Sequence, residues 1–300
     1  MNVLLNDLPG IIVRSLGPAG VYIMIGLGYN AIFAPTKVFN LAQGGLMMVA
    51  MFVAILIMEL LGLPLIVGMV GAVIVVAVLA VVEERVAVQP AVRQAEPGGA
   101  DITWAITTLA FMLILEAVVS IAGGTDPRRF PNILPDQRLM LGGTVLSLPA
   151  VGLFGVAIVT ALALHLFYTR SRTGKFLTAM AENKDAASIR GVNVRTLTLL
   201  SFALGGAIAA MGGLFMAPLT FVYSTIAGLY TFKGVVAVSI GGMGSNAGVI
   251  IGGFLLAFVE RAMTDTLGTG WVGVGSVGLL LVVLLIRPHG IMGHVQERPV

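Results

Sequence analysis

The chain has 300 residues, of which 58% are hydrophobic and only 10% charged, with a mean hydropathy of +1.02. A soluble domain of this length would carry roughly a quarter charged residues, so the composition excludes a water-soluble globule and requires lipid as the solvent. The net charge of +3 reflects basic loops facing an anionic leaflet, not a nucleic-acid surface.

Cysteine is absent, so there is no disulfide framework and no thiolate metal site. Three histidines, two of them in the C-terminal tail, argue against a zinc or iron site. No metal and no nucleic-acid partner are expected.

Apolar tracts of near-spanning length run at about 16–34, 43–62, 64–83, 103–123, 148–168, 197–217, 246–264 and 271–287. About twenty residues at 1.5 Å each cross a hydrocarbon core of roughly 30 Å. The opening residues MNVLLNDLPG lack a basic start and a small-residue cleavage site, so the first span is expected to act as its own insertion signal. Asn30, Asn40 and Gln43 flank the junction of the first two spans. The segment 83–101, EERVAVQPAVRQAEPGGAD, reads as a loop from its prolines, glycine pair and scattered charges. The fourth span holds Thr107, Thr108 and, two turns on, Glu116, which either lines a polar path or pairs within the bundle.

The segment 123–143, GGTDPRRFPNILPDQRLMLGG, is expected to be irregular. It carries Arg128, Arg129 and Arg138, while six Lys or Arg fall between Arg170 and Arg195. The larger basic cluster sets the orientation, placing 170–195 and the C-terminal tail in the cytoplasm and 123–143 outside. The stretch 229–241 is too short to span comfortably and reads as a half-helix, a re-entrant segment or part of a broken span. The expected fold is therefore an all-α, polytopic transmembrane helix bundle of eight or nine spans, one transmembrane domain over 1–300 with a cytoplasmic loop at about 170–196. Glu59, Lys233, Glu260 and Arg261, near span ends, are expected to snorkel to the headgroups.

Gly244, Gly248 and Gly252 recur every fourth residue and predict a close-packed helix face, within one bundle or at a dimer seam. GGMGSNAG (241–248) follows no soluble strand, and a Walker A sequence is missing, so the chain is not expected to bind ATP itself. No paired catalytic carboxylates and no HExxH or GxSxG motif point to an enzyme. In the basic loop Asn183 is a candidate N-cap and Asp185 sits in the first turn, favourable to the helix dipole. Ala186 and Ala187 predict a smooth surface, Ile189 an apolar knob, and Gly191 a left-handed helix end.

These residues resemble a known family. Asp185-Ala186-Ala187-x-x-x-Gly191 is similar to the Glu-Ala-Ala-x-x-x-Gly loop of bacterial ABC importer permeases, with Asp replacing Glu and the motif's Ile-x-Leu-Pro extension missing. GLGYNAIFAPTKVFNLAQGGLMMVAM (26–51), RTGKFLTAMAENKDAASIRGVNV (172–194) and FKGVVAVSIGGMGSNAGVIIGGFLLAFVE (232–260) resemble, in that order, three blocks of the branched-chain amino-acid ABC permeases. The departures are Ala34-Pro35 at a usually glycine-rich turn and Gln43 where the family usually has His. The resemblance implies a multi-pass subunit of the bacterial inner membrane, contributing half of a translocation path. It implies a second permease subunit, two cytoplasmic ATP-binding subunits that hold the ATP, and an external solute-binding protein. Asp185, Ala186, Ala187, Ile189 and Gly191 would form the ATPase-coupling loop, and Asn40, Gln43, Thr107 and Glu116 are candidates for the path lining. Gln43 equally fits a simple helix start. The resemblance implies that the solute is a branched-chain amino acid or another small polar molecule such as urea, a short amide or a small carboxylate. An ion-gradient-driven secondary transporter is the alternative; it requires a ladder of intramembrane ionisable groups.

Overall fold

The computed structural model describes residues 7–94, 102–141 and 143–293. Its helices are α1 (Leu8–Thr36), α2 (Gln43–Leu61), α3 (Leu65–Glu83), α4 (Thr103–Gly123), α5 (Leu148–Arg170), α6 (Arg172–Glu182), α7 (Lys184–Ile189), α8 (Val194–Met216), α9 (Ile226–Gly241), α10 (Asn246–Leu267) and α11 (Val272–Ile286). Among the described residues eight helical stretches are long and apolar enough to cross a membrane, and α9 is shorter. At 1.5 Å per residue α9 reaches about 24 Å, less than the hydrocarbon core.

Helix α1 is the axis of the bundle. Between Ala19 and Ile32 every side of it is buried, against α5, α8, α9 and α10. Such a helix shows no amphipathic stripe, because it has no outward face. The outer helices α3, α4, α5 and α11 bury narrow seams and expose large branched residues such as Ile66, Ile121, Val159 and Leu285.

Glycines set how closely the helices approach. Gly28 and Gly205 face each other across α1 and α8, and a Cβ on Gly205 would lie 2.6 Å from Ile32. Without a hydrophobic drive between helices in lipid, backbone contact of this kind holds the bundle together through dispersion.

Two segments depart from the expected loops. Helix α3 continues through a π-helical turn, Glu84–Val88, into Gln89–Gln94, so the first half of 83–101 is helical. Val88 and Ala91 keep an apolar face there, and the extension packs against α4. The segment 123–143 joins a short antiparallel hairpin, β1 (Arg138–Leu141) with β2 (Thr144–Ser147), in register Arg138 to Ser147. Arg128 pins this segment down. Its backbone pairs with Val222, and its guanidinium donates to Glu59 at 3.1 Å and to the Gly123 carbonyl at 2.7 Å. At this end Arg261 pairs with Asp265 at 2.7 Å, and Asp265 in turn with Arg14 at 3.1 Å.

Candidate coupling helix and membrane-buried polar sites

The basic loop folds into two short helices beneath the bundle. Ser171 caps α6, accepting from the Gly174 amide at 2.9 Å, and Leu177 and Met180 bury against Leu197 of α8. That apolar face fixes α6 on the bundle. Asn183 ends α6 and starts α7, its side-chain oxygen accepting from the Ala186 amide at 2.9 Å. Such a cap stabilises a helix start by about 1 kcal/mol.

At the other end of α7 the Gly191 amide donates to Ser188 and the Val192 amide to Ala187, with Gly191 at φ +83°. This is the double C-terminal turn that glycine adopts without a Cβ penalty. Asp185 and Ala186 are exposed and Ile189 is 87% exposed, whereas Ala187 is buried. The expected smooth pair is therefore corrected: Ala187 faces the protein, and the outer surface consists of Asp185, Ala186 and Ile189. A cleft of about 1020 Å³ opens beside α6, lined by Lys37, Thr178, Glu182, Met243 and His289 among others. Lys37 there has left-handed backbone, φ +62°, and its burial lowers the ammonium pKa.

The four path candidates do not come together. Asn40 and Gln43 are wholly buried inside the bundle, so neither lines an open channel in this conformation. Asn40 shapes the turn before α2: its oxygen accepts from the Ala42 amide at 2.8 Å, and its amide donates to buried Glu83 at 2.9 Å. Gln43 begins α2 and fills the notch left by Gly28, with neither amide atom hydrogen-bonded. Thr107 and Glu116 are half-buried on α4. Nine residues apart at 3.6 per turn, they sit on opposite flanks, about 180° from each other, and cannot line one passage together. Thr107 donates locally to the Trp104 carbonyl at 3.1 Å. Thr108 rather than Thr107 faces the bundle, accepting from the Leu41 amide at 3.2 Å.

Lys233 and Glu260 correct another expectation. They do not snorkel; they form a buried ion pair between α9 and α10. Tyr22 of α1 donates to the second carboxylate oxygen at 2.6 Å. Lys233 also donates to Ser276 of α11 at 3.0 Å, and its ammonium lies 6.0 Å from the Tyr22 ring centroid. Four helices thus meet at one satisfied charge cluster. Its signal in the sequence was two charges inside apolar runs, 27 positions apart.

Gly248 and Gly252 face the backbone of α9, where a Cβ would collide with the carbonyls of Gly241 and Ala237. Gly244 is corrected: it precedes α10, has φ +85° with nothing near its absent Cβ, and belongs to the turn. Its amide donates to Asn30 at 3.0 Å, and Asn30 in turn donates to Asn246 at 3.3 Å.

Comparison with known proteins agrees with this architecture. The permease protein BraD of the high-affinity branched-chain amino acid transport system of Pseudomonas aeruginosa is 28% identical over 96% of this chain and 97% of its own. LivH of the corresponding Escherichia coli system is 28% identical over 93% of each chain. A chain of PsaBC from Streptococcus pneumoniae, solved in complex with Fab, shares the fold with a TM-score of 0.51 and 14% identity, covering 96% of this chain and 95% of that one. Residues 11–286 match the family described as the permease component of the branched-chain amino acid transport system. With eight candidate spans and a match over nearly all its length, the chain is a multi-pass membrane protein and belongs to that permease family.

Proposed function

We propose that the chain is one of two permease subunits of an ATP-driven importer, carrying a branched-chain amino acid or a similar small polar solute. Two ATP-binding subunits dock on the α7 side, which is the cytoplasmic side, and an external solute-binding protein delivers the solute at the hairpin end. The ATP sits in those partner subunits, in keeping with the missing Walker A sequence in this chain.

The observation that carries the reading is α7. It is capped at both ends, stands at the bundle surface, and offers an acidic first turn and one fully projecting apolar side chain. A rigid helix of this kind transmits a push: movement of the docked ATPase is passed through α6 to α5 and α1, which α6 touches directly. The ion-gradient alternative finds no ladder among the described residues: Lys233 and Glu260 are bonded to each other, and the buried carboxylates Glu83 and Glu84 are adjacent at one helix end, with Glu83 held by Asn40.

Reconstitution tests the proposal. Proteoliposomes holding this chain with its permease partner and ATPases should accumulate solute on addition of ATP and binding protein. Vesicles with this chain alone should not. Accumulation by the chain alone under an ion gradient would replace the importer reading with the alternative.

A further inference from the structure

Glu116 lies deep in α4, 13 residues after Thr103 and 7 before Gly123. At 1.5 Å per residue that is about 20 Å and about 10 Å from the helix ends, too deep for a glutamate to reach the headgroups. It is the one charged residue in α4, and among the described residues no hydrogen bond or ion pair joins its carboxylate to another group. A carboxylate at such depth belongs in protein or in water, not against acyl chains. Its own bundle covers it only in part: the inward seam of α4 is Thr108, Met112, Leu115 and Val119, and Glu116 stands just beside it, half-buried.

The two outer flanks of α4 differ. At 3.6 residues per turn Glu116 shares its flank with Ala105, Leu109 and Ser120. Both flanks expose bulky apolar residues, Leu109 and Leu113 near Glu116 and Ile114, Val118 and Ile121 on the opposite flank, so what sets the Glu116 flank apart is its carboxylate. The charge is thus confined to one side.

Resting on the importer reading above, we propose that the Glu116 flank of α4 borders the aqueous passage closed by the second permease subunit. There the carboxylate faces the ammonium group of the zwitterionic solute. One negative charge, with no cation on the helix to neutralise it, suits a ligand whose cationic end must cross an apolar channel.

The chain has no cysteine, so a single introduced thiol is unambiguous. Glu116→Cys and, on the other flank, Val118→Cys would be made at the native locus. Intact cells would be treated with a cationic, membrane-impermeant methanethiosulfonate reagent, and the isolated chain weighed. Glu116→Cys should be modified and protected by excess leucine, and Val118→Cys should stay unmodified. No modification at 116, or equal modification at both positions, overturns the placement. In transporting vesicles Glu116→Gln should slow leucine uptake about tenfold, the loss expected for one charge-assisted hydrogen bond. It should leave uptake of the matching 2-hydroxy acid unchanged. Equal effects on the two solutes, or none on leucine, overturn the ammonium contact. If the importer reading itself is wrong, the unmutated complex fails to transport, while the labelling still reports whether position 116 meets water.

Discussion

A buried charge is stable when its partner is already in place, and Lys233 and Glu260 are held that way by Tyr22 and Ser276. Removing either member leaves the other unpaired in the bundle, at a cost of about 3–5 kcal/mol. Replacing both with apolar residues of similar size removes the demand altogether. Lys233→Met and Glu260→Leu should each sharply lower the folded yield and melting temperature in detergent, and the double variant should recover most of the loss. A double variant no better than the worse single one would show that the loss does not come from an unpaired charge, because removing both charges fails to relieve it. From the sequence these two residues read as snorkelling side chains, because distance from a span end is the only local cue. What that cue lacks is the position of α9, which places Lys233 against α10 instead of the headgroups.

At the scale of elements, local geometry was the more legible. Asn183 and Gly191 were both readable as the ends of a short helix, since caps act over three or four residues and need no tertiary partner. Asp185→Lys puts a like charge at the helix start, and Gly191→Leu forces a side chain into left-handed backbone at a cost of about 1 kcal/mol. Both variants should keep the bundle folded yet lose co-purifying ATPase and uptake. Retention of both activities would reduce α7 to a connector. Helix packing was readable in the same way at Gly248 and Gly252, whose four-residue spacing marks one face. Gly248→Leu should block assembly, because its side chain would enter the Gly241 carbonyl; normal expression would mean the α9–α10 contact can open. Gly244 obeys the same spacing yet lies in the turn, since the spacing does not show where α10 begins.

At the scale of the whole molecule, composition and the order of apolar tracts determined that this protein lives in lipid, bounded its spans at eight or nine and marked which loop carries the positive charge. Those properties follow from transfer free energy summed along the chain, and each span contributes without reference to the others. The family blocks were legible for a related reason, as fixed spacings within continuous segments. The tertiary structure decided which helix is central, and with it the fate of every polar residue inside the membrane. Asn40 came to hold the turn before α2 and to bond Glu83, Lys233 joined Glu260, and Glu116 stayed half-buried beside the inward seam of α4. In lipid all apolar faces look alike to a hydropathy pattern, so the sequence cannot distinguish a helix face that meets protein from one that meets acyl chains. Close backbone contacts made by glycine, and hydrogen bonds between residues far apart in the chain, draw that distinction, and both exist only after the helices have packed.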